Sequence, residues 1–538
     1  MKYFDKIKYI GMLCLMPLAL VGCSDTWDAH YNGGGQEMKA DKTLWEEIDA
    51  RPELEEFARM LELYGYDKML DGDQMFTVFA PIGEIDTLGL TKEKVKTEVI
   101  ENHIARFVHS ANGTMKSKDV VMLNTKMVNF TATATGAMFG RTELTEQYNI
   151  IAKNGVLHVI AAQQPFFHNI WEYLTTDTLY DSIRTYLYSF NKEYLDESAS
   201  VKGDIVNGKQ EYEDSVVITS NEMFYRIGQL NNEDSTYSMI LPTNAAWREA
   251  YPRISAYYNY PRTKAGRDSL KRLYTGLAMV GDLVFSHTVQ KDPQQALVST
   301  YPAYYAKDLH VFENPFENIL YGYNSWSEGG YECSNGRVFK VDSLGHKPWQ
   351  SWHSRLQVEG ENLNVIKVTE TTTKEPMRRA LPYTDSLYTK TSSGAYVEIS
   401  ATSMGVQPTM SYKIWNTLAG KYDVKIVFLP QSLATDVRTA NNMKPNTFKV
   451  LCSYRRMDGT MSPSDNTAVI HKGSLKNDPY AIDTVDVGTI TLPVCSYGDE
   501  VAGVELTIAS NINPTLIKKG NWSTTFLIDC IILEPSKE

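Results

Sequence analysis

The sequence predicts a multidomain α+β chain in which two related α/β domains precede an all-β sandwich. A short apolar strand motif that ends in Pro occurs twice, at 75–81 and 237–242, and each copy is followed further along by an apolar strand that begins with Asn-Gly. From Val365 to Glu538, apolar and polar residues alternate in many short runs, which is typical of a sandwich. A length of 538 residues suits three or four domains.

The composition excludes several classes of protein. Hydrophobic residues make up 43% and charged residues 22%, which argues against a wholly disordered or collagen-like chain. The net charge of -12 lacks the basic footprint of a nucleic-acid-binding protein, so no nucleic-acid partner is predicted. Tyr is unusually frequent, with 33 residues, and there are 9 Trp. The chain can therefore build several cores and still expose aromatic rings.

The N-terminus predicts export rather than folding. Three Lys residues precede an apolar run, Tyr9 to Gly22, that is too short to span a bilayer. The run ends in Leu20-Val21-Gly22-Cys23, which resembles the lipobox of a bacterial lipoprotein signal. The resemblance implies that residues 1–22 are a signal peptide and that Cys23 is lipidated. Residues 23–40, with three consecutive Gly, are predicted to be a flexible tether.

Lipidation of Cys23 would also determine where the protein is located. Lipid, and not a helix, would hold the mature protein on the membrane. Acidic residues after Cys23, at Asp25 and Asp28, resemble the surface-export signals of some Gram-negative lipoproteins. The expected location is the outer membrane, facing the cell surface, although Asp25 could instead favour retention at the inner membrane.

Residues 41–167 form the first predicted domain. Helical spacing runs from Leu44 to Leu63, with Asp41 as a possible cap, and a second helix is predicted from Leu90 to His109. The strand "FTVFAP", the His-bearing helix and the closing strand "NGVLHVI" follow in the order of a fasciclin domain. The domain resembles that family, although the residues after Pro81 depart from its usual pattern. His103 and His158 are expected to pack and hydrogen-bond inside the domain.

Residues 168–355 resemble a second, more diverged fasciclin-like copy. Tyr237 to Trp247 matches the first motif, Asp282 to His287 the His-bearing segment, and Ser334 to Asp342 the closing strand. The polar stretch 191–215 is predicted to be a long loop.

Residues 356–538 are predicted to be the sandwich. The segments "AGKYDVKIVF" and "FLIDCIILEP" resemble jelly-roll carbohydrate-binding modules of the galactose-binding-like fold. In such modules a loop before the last strand often contributes an Asn and an aromatic ring to the ligand cleft. The resemblance therefore makes Asn521 and Trp522 candidate ligand-binding residues, while Trp522 could equally be a plug at the end of the sandwich.

No motif for catalysis, phosphate binding or metal binding is present. No catalytic residue, cofactor or metal site is predicted. His346 and His353, which flank Trp349 and Trp352, are expected to pack in a linker.

Four Cys remain after Cys14 and Cys23 are set aside: Cys333, Cys452, Cys495 and Cys530. The sequence allows either one disulfide bond among them or free buried thiols.

Aromatic residues are the better signal in the second copy. Tyr321, Tyr323 and Trp326 stand beside several Gly, and a similar group lies at Tyr257 to Tyr260. Such rings can form a sugar-stacking platform or a protein interface, or can pack under a loop. We name Tyr321, Tyr323 and Trp326 as candidate ligand-binding residues.

Together these features predict a non-enzymatic surface lipoprotein for binding or adhesion, because fasciclin domains are mainly adhesion and interaction modules. The layout resembles accessory proteins of outer-membrane glycan-uptake systems, with a glycan, or a transporter and its lid lipoprotein, as partners. The alternative is a structural subunit of a TonB-dependent transporter complex that binds no glycan itself.

Overall fold

The computed structural model describes residues 40–537, apart from 112–116, 135, 207, 287–291, 303–308, 436–442 and 472. The proposed signal peptide, Cys23 and His287 lie outside the described residues, as does all of the proposed tether except Ala40. The chain forms two compact units, one that ends at Phe166 and one over Phe167–Glu538.

The first unit places a mixed sheet against helices. Its helices are α1 (Leu44–Asp49), α2 (Glu55–Leu63), α3 (Tyr66–Leu70) and α4 (Lys92–Lys94). Its strands are β1 (Phe76–Pro81), β2 (Ile104–Arg106), β3 (Lys118–Val121), β4 (Met127–Thr133), β5 (Gly136–Phe139), β6 (Thr142–Glu143), β7 (Ile150–Ala152) and β8 (Gly155–Ile160). One sheet has the order β2-β1-β8-β7 and the other β3-β4-β5-β6. Strands β1 and β8 run parallel and are buried throughout, as expected for strands covered on both faces.

Both helix predictions for this unit need correction. The helix predicted from Leu44 to Leu63 is interrupted, because Pro52 starts a separate 3₁₀ turn before α2. Its cap is Thr43, in a capping box with Glu46, and not Asp41. The helix predicted from Leu90 to His109 is short: α4 passes into a π-helical turn and a 3₁₀ turn, and β2 begins at Ile104.

The first part of the second unit repeats this plan. Its helices are α5 (Ile170–Tyr173), α6 (Asp181–Tyr188), α7 (Phe224–Ile227), α8 (Asn244–Ser255) and α9 (Arg267–Val280). Its strands are β9 (Asn191–Leu195), β10 (Val201–Val206), β11 (Lys209–Asp214), β12 (Val217–Asn221), β13 (Tyr237–Pro242), β14 (Val284–Ser286), β15 (Ala296–Pro302), β16 (Leu309–Glu313), β17 (Tyr331–Cys333) and β18 (Gly336–Val341). The order β16-β15-β14-β13-β18-β17 contains a parallel central pair, β13 and β18, in the register of β1 and β8.

The register refines the predicted repeat. Val284 pairs with Met239 as Ile104 pairs with Val78, so Leu283 takes the position of His103.

The prediction that residues 191–215 form a long loop is wrong. Strands β9 and β12 pair with each other, as do β10 and β11, and we call residues 191–221 the arm.

The rest of the second unit is a sandwich of two antiparallel sheets. Its strands are β19 (Leu356–Glu359), β20 (Ile366–Val368), β21 (Met377–Ala380), β22 (Ala395–Ser400), β23 (Thr409–Ile414), β24 (Gly420–Phe428), β25 (Thr447–Tyr454), β26 (Leu475–Lys476), β27 (Asp483–Leu492), β28 (Val504–Ser510) and β29 (Thr525–Pro535), with one short helix, α10 (Pro514–Lys518). One sheet has the order β21-β22-β29-β24-β27, with β19 also on β29, and the other β20-β23-β28-β25-β26. The core between them is fully buried and includes Tyr412, Phe428, Phe448 and Phe526.

The closing strand of each repeat begins at an Asn-Gly pair, and the two Asn side chains make the same pattern of hydrogen bonds. Buried Asn154 accepts a hydrogen bond from Leu44 N (2.8 Å) and donates to Leu70 O and Gly72 O (both 2.7 Å). Asn335 repeats this pattern with Ile170 N (2.9 Å), Leu230 O (2.8 Å) and Asn232 O (3.1 Å). Each Asn thus ties the first helix of its repeat to the segment that leads into the central strand.

The following Gly is required sterically. Gly155 and Gly336 have φ values of 150° and 146°. A Cβ would lie 1.9 Å from the carbonyl oxygen of Phe76 at the first position and 1.8 Å from that of Tyr237 at the second. Only Gly lets the two parallel strands approach this closely.

We expect Asn154→Ala to destabilise the first unit by about 2–4 kcal/mol, because it leaves the buried N–H of Leu44 and the buried carbonyl of Leu70 without partners. Hydrogen exchange in increasing urea measures the free energy of opening of β1 and β8 directly. Asn129→Ala, at an exposed position on β4, is the control and should change it by less than about 0.5 kcal/mol. Equal effects of the two variants would contradict the role given to Asn154.

Candidate functional site

A polar cleft lies at one end of the sandwich, where β22 ends, β29 begins and α10 lies nearby. Its volume is about 440 Å³, within the range of small-molecule sites, roughly 300–1,000 Å³. Hydroxyl groups are the most frequent polar groups of its wall, beside two ammonium groups, one carboxylate and one aromatic ring. The lining residues are Lys374, Met377, Glu398, Ser400, Ala401, Thr402, Ser403, Met404, Thr435, Lys444, Ile517, Trp522, Ser523, Thr524 and Thr525.

The charges in this cleft are unequal. Glu398 is buried, and both of its carboxylate oxygens have partners. Arg379 Nε lies 3.0 Å from Oε2, and the Thr435 hydroxyl donates to Oε1. Lys374 and Lys444 add positive charge to the same wall. Because the Glu398 charge is already compensated, the cleft presents net positive charge and hydroxyl groups to a ligand.

Of the two residues predicted before the last strand, the structure brings one into the cleft. Trp522 is half-buried in the wall, and Lys476 Nζ lies 5.1 Å from the centre of its ring. Asn521 is exposed and is not among the residues that line the cleft. The role of both in binding stays a prediction.

The aromatic group near residue 323 does not form one platform. Tyr323 and Trp326 both pack on Phe339, with ring centres 5.4 and 5.2 Å away, and the Tyr323 hydroxyl donates to Lys340 O (2.6 Å). Tyr321 is 84% exposed. Of the three candidates, only Tyr321 presents most of its side chain to solvent.

The Tyr-rich segment from Tyr257 to Lys264 joins the second repeat to the sandwich. Asn259 Nδ2 donates to Pro493 O (2.9 Å), and the Tyr260 hydroxyl donates to Tyr497 O (2.8 Å). Lys264 Nζ lies 3.0 Å from the Asp499 carboxylate, which is also paired with Arg455. We call residues 257–264 the strap; its aromatic rings serve packing within the unit.

His103 and His158 of the first unit are internal, as the sequence predicted. His103 Nδ1 lies 2.6 Å from Val99 O, and His103 Nε2 accepts from Gln164 N at 2.9 Å. His158 Nε2 lies 2.9 Å from His109 O, and its ring stacks on Phe79. Burial lowers the pKa of both rings to about 4, so both are neutral at pH 7.

A carboxylate, a histidine and a serine meet in the second repeat. His310 Nδ1 lies 2.9 Å from Asp282 Oδ2, and the Ser351 hydroxyl donates to the same carboxylate. Burial by itself raises the pKa of Asp282, but these hydrogen bonds and the charge of His310 hold it below its usual value. The serine hydroxyl is directed at the carboxylate rather than at the histidine, unlike an activated nucleophile.

A buried acidic cluster lies where β19 meets β29. It consists of Glu359, Glu361 and Asp529, with Ser392 and Ser393 donating to them. Burial, together with the two glutamates, raises the pKa of Asp529 to about 7, although the Ser392 backbone N–H acts against this. Within the described residues, no group of three or more His, Cys, Asp or Glu side chains is arranged to hold a metal ion.

The sequence prediction missed most of the cleft and all of the acidic cluster. The lysines of the cleft are scattered along the chain, so no local pattern could assemble them. Asp529 gave a signal, because it is the one charged residue in the apolar run from Phe526 to Leu533. A charge at a core position points to a buried partner or a bound proton.

The four cysteines among the described residues are free and buried: Cys333, Cys452, Cys495 and Cys530. The alternative of buried thiols, which the sequence left open, therefore describes the structure. In the described part of the chain, no helix is both long enough and apolar enough to cross a membrane.

Comparison with known families gives one match. The fasciclin domain model matches residues 52–162, within the first unit. The described chain as a whole is β-rich and forms more than one compact unit. No curated protein matches the sequence.

Solved structures give weaker likenesses. The FAS1 domain pair of the insect cell adhesion molecule Fasciclin I is 12% identical, with a TM-score of 0.20, over 55% of this chain and 98% of that chain. A family 35 carbohydrate binding module from Clostridium thermocellum is 8% identical, with a TM-score of 0.19, over 34% and 99%. The isomalto-dextranase of Arthrobacter globiformis T6 is 14% identical, with a TM-score of 0.19, over 34% of this chain and only 23% of that chain. Scores this low establish neither fold nor function here.

Because of Asp529, we expect the free energy of unfolding of the sandwich to fall as the pH rises from about 4 to about 7. Its folded-state pKa is raised, so the folded state holds a proton that the unfolded chain releases at lower pH. The stabilisation is complete below the unfolded pKa and is lost as the pH passes the folded pKa. Urea unfolding midpoints measured across this pH range give the slope of stability against pH. Asp529→Asn should remove the part of that slope that the Asp529 carboxyl contributes.

The control for this measurement is Asp486→Asn. Asp486 belongs to the same sandwich, but its side chain is 82% exposed. This variant should keep the slope of the parent protein. A slope that Asp529→Asn leaves unchanged would contradict the raised pKa.

Proposed function

We propose that the protein is a non-enzymatic surface lipoprotein for binding or adhesion, an accessory component of an outer-membrane glycan-uptake system, and that its sandwich binds glycan in the Trp522 cleft. In this proposal residues 168–355 are a second fasciclin-like domain, and residues 356–538 are a galactose-binding-like jelly roll. Lipid on Cys23 holds the protein on the outer membrane.

The observation that carries the proposal is the composition of the cleft. A half-buried Trp face beside hydroxyl and ammonium groups suits a pyranose, which has an apolar face and a polar rim. The open polar wall suits a chain of sugars better than a small apolar ligand. The match of residues 52–162 to the fasciclin domain supports an adhesion role for the first unit.

Trp522→Ala should weaken binding of the recognised polysaccharide by about 30-fold, the effect of removing a central aromatic contact of about 2 kcal/mol. A glycan array identifies the polysaccharide, and calorimetry measures the affinity. Trp415→Ala is the matched control, because Trp415 is also half-buried in the sandwich but lies outside the cleft. Full affinity in the Trp522 variant would exclude this site.

A second candidate is a protein-interaction subunit of a TonB-dependent transporter complex, without glycan binding of its own. The arm favours it: both faces of its β9–β12 ribbon carry half-exposed apolar pairs, Leu195 with Val217 and Tyr194 with Ile218. Two-stranded ribbons are marginally stable alone, and apolar patches of this kind mark interaction sites.

For this candidate, replacing Val217 and Ile218 together by Ser should abolish stoichiometric co-purification of a transporter from membranes, because the apolar contact area is lost. Mass spectrometry of protein purified through a C-terminal tag measures it. Leu88→Ser changes an exposed apolar residue outside the arm and should have no effect. Retention of the transporter by the double variant would argue against the arm as the contact.

A further inference from the structure

Positive charge lines the Trp522 cleft. Lys374 and Lys444 are among its lining residues, and neither forms an ion pair within the described part of the chain. Lys374 is exposed and Lys444 is half-buried, so both side chains keep contact with solvent and are available to a ligand. The cleft therefore contains two cations that the fold itself does not neutralise.

Two further lysines stand at the edge of the cleft. Lys476 Nζ lies 5.1 Å from the centre of the Trp522 ring. Lys518 follows Ile517, which lines the cleft, and its side chain extends beside Gly405. A Cβ on Gly405 would lie 3.2 Å from Lys518 Cε. Both of these lysines are exposed, so the edge adds to the positive charge of the wall.

The negative charge in the cleft is compensated. Among the described lining residues, Glu398 is the only acidic one, and it is 1% exposed and paired with Arg379. The chain as a whole carries a net charge of -12, which repels an anionic polymer at long range. Binding of such a polymer would therefore depend on the local lysines of the cleft.

The lysines and the indole ring together fit one class of ligand. A Trp face packs on the apolar face of a pyranose, and an ammonium group donates hydrogen bonds to an anionic substituent. No Arg is among the described lining residues, so the cleft lacks the planar fork that matches a carboxylate. Ammonium groups are compact point charges, which suit a sulfate and a carboxylate alike. The volume of about 440 Å³ is larger than a bare anion requires.

We propose that the Trp522 cleft takes an anionic polysaccharide, whose sulfate or carboxylate groups bind Lys374 and Lys444 while a sugar ring packs on Trp522. This inference rests on the proposed function, since it places the glycan in the same cleft and on the same ring. It adds that the lysines select the ligand by its charge. A neutral glycan with the same backbone keeps the ring contact but loses the charge-assisted hydrogen bonds, and so binds more weakly.

Calorimetry on the full chain with two matched pairs of polymers tests this inference: dextran sulfate against dextran, and polygalacturonate against its methyl ester. We expect at least one anionic polymer to bind at least about tenfold more tightly than its neutral counterpart, the effect of a charge-assisted contact. The pair that shows this difference identifies sulfate or carboxylate as the recognised group. Replacing Lys374 and Lys444 together by Gln should remove the difference.

The matched control replaces Lys367 and Lys413 together by Gln. Both are exposed on neighbouring strands of the same sandwich, β20 and β23, and neither lines the cleft. This variant should keep the preference for the anionic polymer. An equal loss in the control would indicate diffuse electrostatics and overturn the assignment.

The remaining outcomes separate this inference from the proposed function. Equal affinity for charged and neutral polymers, with Trp522→Ala weakening both, overturns the anionic ligand and leaves the glycan site standing. Full affinity of Trp522→Ala for every polymer removes the glycan site itself. A parent protein that binds neither anionic polymer also overturns the inference.

Discussion

The structure depends on one constraint that occurs twice, the close parallel pairing of a central strand with a closing strand that begins at Asn-Gly. In each repeat the Gly allows the backbones to approach, and the Asn side chain satisfies the groups at the start of the first helix and in the loop before the central strand. Because three separate segments meet at one buried amide, loss of that amide leaves polar groups of the helix and of the loop unpaired at the same time. The repeats differ widely in their loops, yet this contact is the same in both.

The second repeat and the sandwich are joined by the strap. Its hydrogen bonds to Pro493 and Tyr497, and the ion pair of Lys264 with buried Asp499, hold one face of the sandwich against the repeat. Rings that could have formed a sugar platform instead provide this packing. The consequence is a fixed junction between the second repeat and the sandwich.

A polar cleft and an apolar surface thus lie in the second unit. The Trp522 cleft is open and rich in hydroxyl groups, which suits the chain of sugars that we propose for it. The arm differs from the cleft, since its exposed apolar pairs lie on a two-stranded ribbon. Binding of a glycan and docking of a protein can therefore occupy different surfaces of one chain.

Strands with strong local patterns could be predicted from sequence: β1, β8, β13 and β18 lie where the apolar runs and the Asn-Gly pairs indicated them. It failed where a local pattern was overruled or ambiguous, as when Pro52 divided the first helix and when the polar residues of the arm paired as strands. Of the sites, sequence could mark Trp522 as a candidate, because a resemblance placed an aromatic before the last strand. The packing of distant segments is what places Lys374 and Lys444 in one cleft with Trp522 and sets Tyr323 and Trp326 against Phe339. The reason is physical: local patterns report which face of an element is buried, whereas a binding site is made by side chains that are distant along the chain and meet only when the elements pack.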